Sequence, residues 1–435
     1  MSPGETTERF RAFARRSHEV VVLAAITGAI TGFAVAAFDY LVIDRLLDHL
    51  FELSPWLLAW MPLIGLGLAW CALRFIARSN DPGMTDLYLR AFHDSNDQLR
   101  LRELPGRMFA AIFTVGFGGA MGLEGGSLYL GSWVGSFLQE RFPRFTGGSS
   151  RHVLMVAGAA AGVAAIFKAP ATGAVFALEV PYREDLARRM LLPALVSSAA
   201  GYLAFVFVNG TTPIFSVHGS PPPLSFADLA GAVALGVAAG LTARGFAWMV
   251  LRAKTATTRV PPVMRILASG VATAALFAIT WQLTDQPLVI GPGYQTIEWA
   301  LSPNRALWLL AAVLVVRCLA TTATLVGGGV GGLFIPLVVA GALLGRFAVG
   351  VVGDANVTLF VVIGVAAFLG AGYRVPLASV IFVAETTGRP GFVVPGLLAA
   401  VAAMLVMGRS SVTTYRRGSQ PGSDAGSTAV SPPRE

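Results

Sequence analysis

The chain has 435 residues, of which 55% are hydrophobic and 13% are charged, and its mean hydropathy is +0.67. A soluble domain carries roughly a quarter charged residues, so this composition excludes a water-soluble globular enzyme and a disordered or fibrous chain. The net charge is +8, but the basic residues form short patches between apolar segments, which is typical of cytoplasmic loops and argues against nucleic-acid binding. We therefore predict an all-α, multi-pass protein of the cell membrane with both termini in the cytoplasm.

Apolar segments of two lengths follow one another along the chain. The longer ones can each cross a bilayer and cover residues 20–46, 56–76, 192–208, 229–251, 266–283, 307–325 and 392–407. The shorter ones are interrupted by Gly and Pro and cover residues 108–122, 127–138, 153–167, 171–180, 333–345, 357–370 and 377–384. Helices that end inside a membrane are tolerated only where they line a cavity or are buried in protein, so the pattern is typical of a transporter.

An internal repeat appears when the sequence is shifted against itself by 206 residues. The shift aligns ten positions, pairing residues 122, 125, 126, 135, 158, 167, 168, 170, 176 and 179 with 328, 331, 332, 341, 364, 373, 374, 376, 382 and 385. Such repeats often build a site at their interface near the bilayer midplane, although a repeat that serves packing alone is the alternative. We predict an N-terminal segment 1–17, repeat halves 18–208 and 225–412, a linker 209–224 and a disordered tail 413–435.

Glu124 is the only ionisable residue between positions 108 and 138. A carboxylate inside an apolar membrane segment is costly, which makes it a candidate functional group. The neighbouring Gly122, Gly125 and Gly126 let the backbone turn, so that successive N–H groups and the start of the next helix can face one anion. The alternative is a glutamate that caps the N-terminus of a buried helix and only stabilises it.

The second half has a matching glycine-rich break but no acidic residue in it. Gly331, Gly332 and Leu333 precede Phe334, Ile335 and Pro336 at the start of another apolar segment. Two helix N-termini that converge from opposite halves could bind an anion weakly enough to release it.

These residues resemble the CLC family of chloride channels and proton/chloride antiporters. Gly122-Leu-Glu-Gly125 is similar to the family's GxEGP motif, with Gly126 replacing the proline, and Gly332-Leu-Phe-Ile-Pro336 matches its GxFxP motif. The resemblance implies a CLC-like inverted repeat of many tilted and half-spanning helices, and a homodimer with one pore in each subunit. It also implies that Glu124 is the gating glutamate, and that the anion contacts Gly83, Leu123, Gly125, Leu333, Phe334 and Ile335.

Three positions depart from the family pattern. Gly83 stands where a coordinating serine is usual, and Thr413 stands in place of the pore tyrosine, with Tyr415 nearby. Val180 occupies the position of the antiporters' proton-relay glutamate, and Glu179 lies beside it. Because one residue along a helix is a turn of about 100°, we expect the side chain of Glu179 to point away from that of Val180.

An intramembrane enzyme is the alternative class, but it needs clustered carboxylates or a metal set such as H-E-x-x-H, and the sequence has neither. We expect no cofactor and no metal. The sequence favours chloride transport that is passive or weakly coupled to protons, gated by Glu124. The alternatives are a proton/chloride antiporter and, less favoured, an exporter of another small anion such as fluoride or nitrate.

Overall fold

The computed structural model describes residues 3–94, 99–143, 152–183, 185–212, 225–352 and 356–415. Most of the predicted linker, from 213 to 224, and the predicted tail from residue 416 lie outside the described residues.

The first half consists of helices joined by short loops. They are α1 (Pro3–Tyr40), a π-helical turn (Leu41–Leu47), α2 (Asp48–Phe51), α3 (Pro55–Cys71), a second π-helical turn (Ala72–Ala77), α4 (Met84–His93), a 3₁₀ turn (Leu101–Glu103), α5 (Leu104–Gly116), α6 (Glu124–Arg141), α7 (Val153–Phe167), α8 (Pro170–Glu179), a 3₁₀ turn (Arg188–Met190) and α9 (Leu191–Asn209). Pro55, Leu104-Pro105 and Pro170 open their helices, where a proline's missing N–H costs nothing.

The second half also consists of helices joined by short loops. It contains α10 (Phe226–Arg259), α11 (Pro262–Thr284), α12 (Tyr294–Leu301), α13 (Leu307–Gly327), α14 (Phe334–Val352), α15 (Val357–Tyr373), α16 (Pro376–Thr387), a 3₁₀ turn (Pro390–Phe392) and α17 (Val393–Met407). Among the described residues, eight helical segments are long and apolar enough to cross a membrane, which confirms the predicted multi-pass architecture.

One predicted short segment is longer than expected. The sequence suggested a half-helix over 333–345, but α14 runs from Phe334 to Val352 and its 19 residues can cross a bilayer. Arg346 follows Gly345 and looked like the polar end of the segment. A single arginine near a membrane surface can extend its head toward water without ending a helix, and α14 continues for about two more turns, to Val352.

Helix boundaries in the two halves agree with the repeat offset. The helices α7 and α15 end at Phe167 and Tyr373, which are 206 residues apart, and α8 and α16 begin at the equivalent Pro170 and Pro376. The residues that follow α7 and α15, Lys168 and Arg374, both adopt the left-handed conformation, with φ of 52° and 54°. In each half the chain therefore makes the same turn before the proline.

The packing of α8 against α16 shows that the repeat is inverted. Glu179, the last residue of α8, accepts hydrogen bonds from the backbone N–H groups of Leu377 (3.2 Å) and Ala378 (2.9 Å) in the first turn of α16. Glu385, near the end of α16, accepts from the N–H groups of Ala171 (2.8 Å) and Thr172 (2.7 Å) in the first turn of α8. Each helix end meets the opposite end of its partner, so the two helices run antiparallel about a pseudo-two-fold axis.

These contacts replace the usual helix caps. A side chain at the N-cap position normally accepts one of the free N–H groups of the first turn, but Ala169 and Val375 stand at the N-caps of α8 and α16 and provide no such acceptor. The glutamate of the opposite half supplies it. The fold is thus an all-α membrane protein whose two halves are joined by reciprocal capping.

Candidate functional site

The two glycine-rich breaks lie directly against each other. Gly122 and Gly332 form an isolated antiparallel bridge, in which the N–H of Gly122 donates to the carbonyl of Gly332 (3.0 Å) and the N–H of Gly332 donates to that of Gly122 (2.7 Å). This bridge brings the start of α6 next to the start of α14. The structure therefore confirms that these segments, some 210 residues apart in sequence, meet at one point.

Glu124 is the first residue of α6, and its side chain reaches the N-terminus of α14. Its Oε1 accepts hydrogen bonds from the backbone N–H groups of Phe334 (2.5 Å) and Ile335 (3.3 Å). Only 4% of the residue is exposed, and among the described residues Oε2 has no hydrogen-bond partner. A carboxylate thus occupies the position at a helix N-terminus where the free N–H groups and the helix dipole favour negative charge.

The absence of a side chain at Gly332 leaves space for the Glu124 carboxyl group. A Cβ built on Gly332 would overlap the Glu124 carboxyl group, and a Cβ on Gly125 would lie 2.7 Å from the carbonyl oxygen of Gly331. A Cβ at Gly125 would require the backbone to move, and a Cβ at Gly332 would displace the Glu124 side chain. The close approach of the two breaks therefore requires residues without a Cβ, which is the physical meaning of the paired glycine runs.

The first turn of α14 also meets a tyrosine that the sequence did not identify as a site residue. The hydroxyl of Tyr373, at the end of α15, accepts a hydrogen bond from the N–H of Leu333 (3.3 Å) and is hydrogen-bonded to the side chain of Thr85. Three successive amides, those of Leu333, Phe334 and Ile335, thus donate hydrogen bonds to side-chain oxygen atoms at one place. The repeat alignment offered a signal, because Tyr373 differs from its equivalent Phe167 by this hydroxyl.

An aromatic cluster surrounds the same turn. The Phe334 ring lies 4.1 Å from the Phe167 ring and 4.9 Å from the Phe382 ring, measured between centroids, and it also contacts Phe176 and Tyr373. All five side chains are almost fully buried. They exclude water from one side of the Glu124 carboxyl group and hold the start of α14 in place.

A cavity of about 570 Å³ borders this turn, and we call it the vestibule. Leu333 and Tyr373 lie in its wall. Leu333 precedes Phe334, whose amide holds Glu124, and the Tyr373 hydroxyl accepts from the N–H of Leu333. The predicted site residues Gly83, Thr413 and Tyr415 also line it, together with Gly331, Thr85, Asp86, Arg90 and Lys254. Five of the predicted site residues, Gly83, Gly331, Leu333, Thr413 and Tyr415, thus line one cavity.

The charged groups of the vestibule are mutually paired. Lys254 Nζ lies 2.5 Å from Asp86 Oδ2 and also donates to the carbonyl of Val412 (2.8 Å). Arg90 lies 3.0 Å from Asp81 Oδ2 and over the ring of Tyr415, 4.1 Å from its centroid. The Asp86–Lys254 pair joins residues 168 positions apart, so no local sequence pattern could have indicated it.

Gly83 and Thr413 have hydrogen-bond partners within the protein. The N–H of Gly83 donates to Asp81 Oδ1 (2.9 Å), and the Thr413 hydroxyl lies 3.1 Å from that of Ser411. Both residues line the vestibule, but the hydroxyl nearest the start of α14 is that of Tyr373. An anion-binding role for Gly83, Thr413 and Tyr415 stays a prediction.

The proton-relay position is apolar and fully buried. Val180 follows α8 with none of its surface exposed, while Glu179 caps α16. The carboxylate of Glu179 is thus held by a scaffold contact, as its repeat equivalent Glu385 is. The structure places neither residue on the vestibule.

The fold and the site together define a multi-pass membrane protein with an inverted repeat and a buried carboxylate at the meeting point of its two halves. The family described as voltage gated chloride channel matches residues 64–408. Because this is most of the chain, the protein belongs to that family, the CLC family.

Related sequences and solved structures of the same family are similar to this chain. The H(+)/Cl(-) exchange transporters ClcA of Salmonella arizonae and Salmonella typhimurium are each 25% identical over 411 residues, which cover 89% of this chain and 85% of the relative. A CLC-type fluoride/proton antiporter superposes with a TM-score of 0.79 at 20% identity, covering 92% of this chain and 98% of the other. A slow cyanobacterial Cl⁻/H⁺ antiporter gives 0.74 at 20% identity, covering 89% and 94%. These likenesses confirm the CLC-like fold.

Proposed function

We propose that this protein exchanges chloride for protons across the membrane and that Glu124 is both the gate and the proton-binding group. The observation that carries the proposal is the position of the Glu124 carboxylate on the amides of Phe334 and Ile335. An anion entering from the vestibule would need those same amides. Anion and carboxylate therefore compete for one position, and protonation of the carboxylate favours the anion.

The sequence favoured passive or weakly coupled flux, because Val180 cannot hold a proton. The names of the relatives favour the antiporter instead, since each is called an exchange transporter. We therefore take proton-coupled exchange as the proposal and passive flux as the second candidate, which the buried Val180 supports. In the coupled case, protons would reach Glu124 without a relay at position 180.

Chloride is the anion we propose. The second motif keeps Phe334 and Pro336 intact, and the fluoride-specific branch of the family usually alters this motif. Backbone amides and the Tyr373 hydroxyl bind halides by hydrogen bonding without a fixed cation, which suits rapid release. Fluoride and nitrate remain the alternative anions.

The subunit arrangement and the orientation are further parts of the proposal. From the family resemblance we propose a homodimer with one pathway in each subunit, and cytoplasmic placement of both termini from the basic patches. Cross-linking in native membranes tests the first, and accessibility of tags at the two ends tests the second.

A chloride gradient imposed on proteoliposomes tests the function. The chloride concentration is higher inside the vesicles, and the internal and external pH are equal at the start. Coupled exchange then moves protons into the vesicles as chloride leaves, so the external medium becomes alkaline. Adding a protonophore must then dissipate the pH difference across the vesicle membrane. Chloride efflux without any proton movement, once the membrane potential is clamped with valinomycin and potassium, would establish the passive alternative.

A further inference from the structure

A second cavity of about 670 Å³ lies beside the vestibule and shares Asn80, Pro82, Thr257 and Thr258 with it. We call it the arginine cavity, because its charged lining residues are Arg74, Arg259 and Arg265, and none of its lining residues is acidic. The nearest acidic residue in sequence, Asp81, is engaged with Arg90 and with the N–H of Gly83. The arginine cavity therefore carries an uncompensated positive charge.

Arg265 is the central residue of this cavity. It lies in the first turn of α11 and is only 7% exposed, and among the described residues its Nε and Nη1 have no hydrogen-bond partner. Its guanidinium group packs under Gly328, which has a φ of 86°, and a Cβ there would lie 2.6 Å from Nη1. The side chain is thus held in place by packing while two of its three nitrogens have no partner among the described residues.

Two other buried arginines, Arg317 and Arg107, have protein partners for their terminal nitrogens. The two terminal nitrogens of Arg317 donate to the carbonyls of residues 288, 289, 291 and 292 at distances of 2.6–3.2 Å. Arg107 pairs with Glu103 at 2.8 Å and donates to the Ser79 hydroxyl and the Asp81 carbonyl. Because a buried guanidinium without partners is costly, the contrast indicates that the partner of Arg265 comes from outside the chain.

We propose that the arginine cavity binds a phosphate-type oxyanion. A guanidinium group offers parallel N–H donors that match two oxygens of a phosphate, and the start of α11 adds the positive dipole end of a long helix. Arg74 and Arg259 are exposed at the rim and can complete the neutralisation of a doubly charged group. Chloride, a single spherical charge, uses this planar set of donors less well.

The surroundings of the cavity allow two sources for such a group. Val263 and Met264 on α11 and Phe75 beside Arg74 are more than 60% exposed, so the rim lies next to an apolar surface that a bilayer would cover. A lipid with a phosphate monoester headgroup could place it in the cavity from the membrane. Inorganic phosphate or a soluble phosphate ester could enter from the water at the same end. The chemistry is common to both, and only binding measurements separate them.

Thermal stability of the purified full-length protein in an uncharged detergent tests the proposal. The probes are inorganic phosphate and short-chain phosphatidic acid, with a short-chain phosphatidylcholine as the negative probe, and every sample contains the same saturating concentration of sodium chloride at matched ionic strength. We expect a phosphate probe to raise Tm in a saturable way, since a ligand that binds the folded state stabilises it, and we expect phosphatidylcholine not to do so. A rise with inorganic phosphate identifies a soluble oxyanion, and a rise with phosphatidic acid alone identifies a lipid headgroup.

Variants assign the effect to the cavity. Arg265→Gln should weaken binding of the active probe by roughly tenfold or more, the loss of a charge-assisted pair of hydrogen bonds. Arg252→Gln is the matched control, because Arg252 is an exposed arginine of the helix that also carries Arg259 and does not line the cavity. The rim pair Arg74→Gln with Arg259→Gln is a second test, in which binding of the active probe should also weaken.

The proposal also predicts the stability of Arg265→Gln without any probe. An arginine whose partner is a ligand contributes little to the stability of the ligand-free protein. The variant should therefore have a Tm equal to or above that of the wild type. No stabilisation by either phosphate probe, or unchanged binding in the cavity variants, would overturn the proposal. A ligand-free Arg265→Gln protein of clearly lower Tm would do the same, because Arg265 would then have a structural partner.

Discussion

The two halves of this protein agree in the contacts that join them and differ around the meeting point of their glycine-rich breaks. Glu179 and Glu385 are equivalent under the offset of 206, and each caps the helix of the other half. Around the breaks the equivalence fails, since Val330 stands opposite Glu124, and Tyr373, which bonds to the N–H of Leu333, stands opposite Phe167. Symmetric residues thus hold the fold together, and we propose that the asymmetric ones act in transport.

The largest expected effect comes from adding a side chain at the glycine-rich break of the second half. In Gly332→Ala the new methyl group overlaps the Glu124 carboxyl group, so either this carboxyl group leaves the amides of α14 or the bridge to Gly122 shifts. We expect anion transport to fall by a factor on the order of 100 or more, because a displacement of about 1 Å misplaces the donors. Anion efflux from proteoliposomes measures it.

Gly391→Ala is the matched control for this change. Gly391 has open space around the position of a Cβ, and its substitution should leave transport within about twofold of wild type, as expected for a surface site. Wild-type transport in Gly332→Ala would show that the close approach of the two breaks is not needed.

A smaller and symmetric effect is expected from the capping glutamates. Glu179→Ala and Glu385→Ala each leave two N–H groups of a helix start without their acceptor, at a cost of about 1–3 kcal/mol in the free energy of unfolding. We expect similar losses of thermal stability in the two variants, with proton coupling retained in the folded fraction.

Coupling is the informative part of that experiment. If Glu179→Ala abolished proton movement while Glu385→Ala did not, Glu179 would be a relay for protons as well as a cap. The symmetric interpretation of the pair would then be wrong.

The smallest effect should come from the hydroxyl of Tyr373. Tyr373→Phe restores the symmetry with Phe167 and removes one acceptor from the N–H of Leu333, an interaction worth about 0.5–1.5 kcal/mol. We expect apparent chloride affinity to change between about twofold and tenfold, with the fold unchanged. Calorimetric titration of chloride measures this change.

Phe167→Tyr provides the reciprocal control, since it adds a hydroxyl in the other half. It should leave chloride affinity unaltered if the vestibule side alone contacts the ion. Equal effects of the two substitutions would contradict the asymmetry that we assign to this pair.

The sequence predicted the repeat, the interruption of the short segments at Gly and Pro and the meeting of the two breaks, because these depend on local backbone chemistry and on a constant offset. It did not identify Tyr373 as a site residue, nor the pairing of Asp86 with Lys254, because both depend on contacts across the fold. It also ended α14 at Gly345, since a charge after an apolar run looks like a boundary when the depth of the residue is unknown. Arg265 was part of a basic patch in the sequence, and only its burial sets it apart.

The central claim is that Glu124 alone links protons to anions, and Glu124→Gln tests it most directly. Glutamine keeps the size of the side chain but carries no charge at any pH, so it cannot compete as an anion for the amides of Phe334 and Ile335. Chloride and proton fluxes are measured together in proteoliposomes between pH 4 and 8, with Glu140→Gln, an exposed glutamate of the same helix, as the control. We predict wild-type chloride flux that rises as pH falls, and a Glu124→Gln flux that is independent of pH and moves no protons. A variant that still drove protons uphill against a gradient would contradict the account.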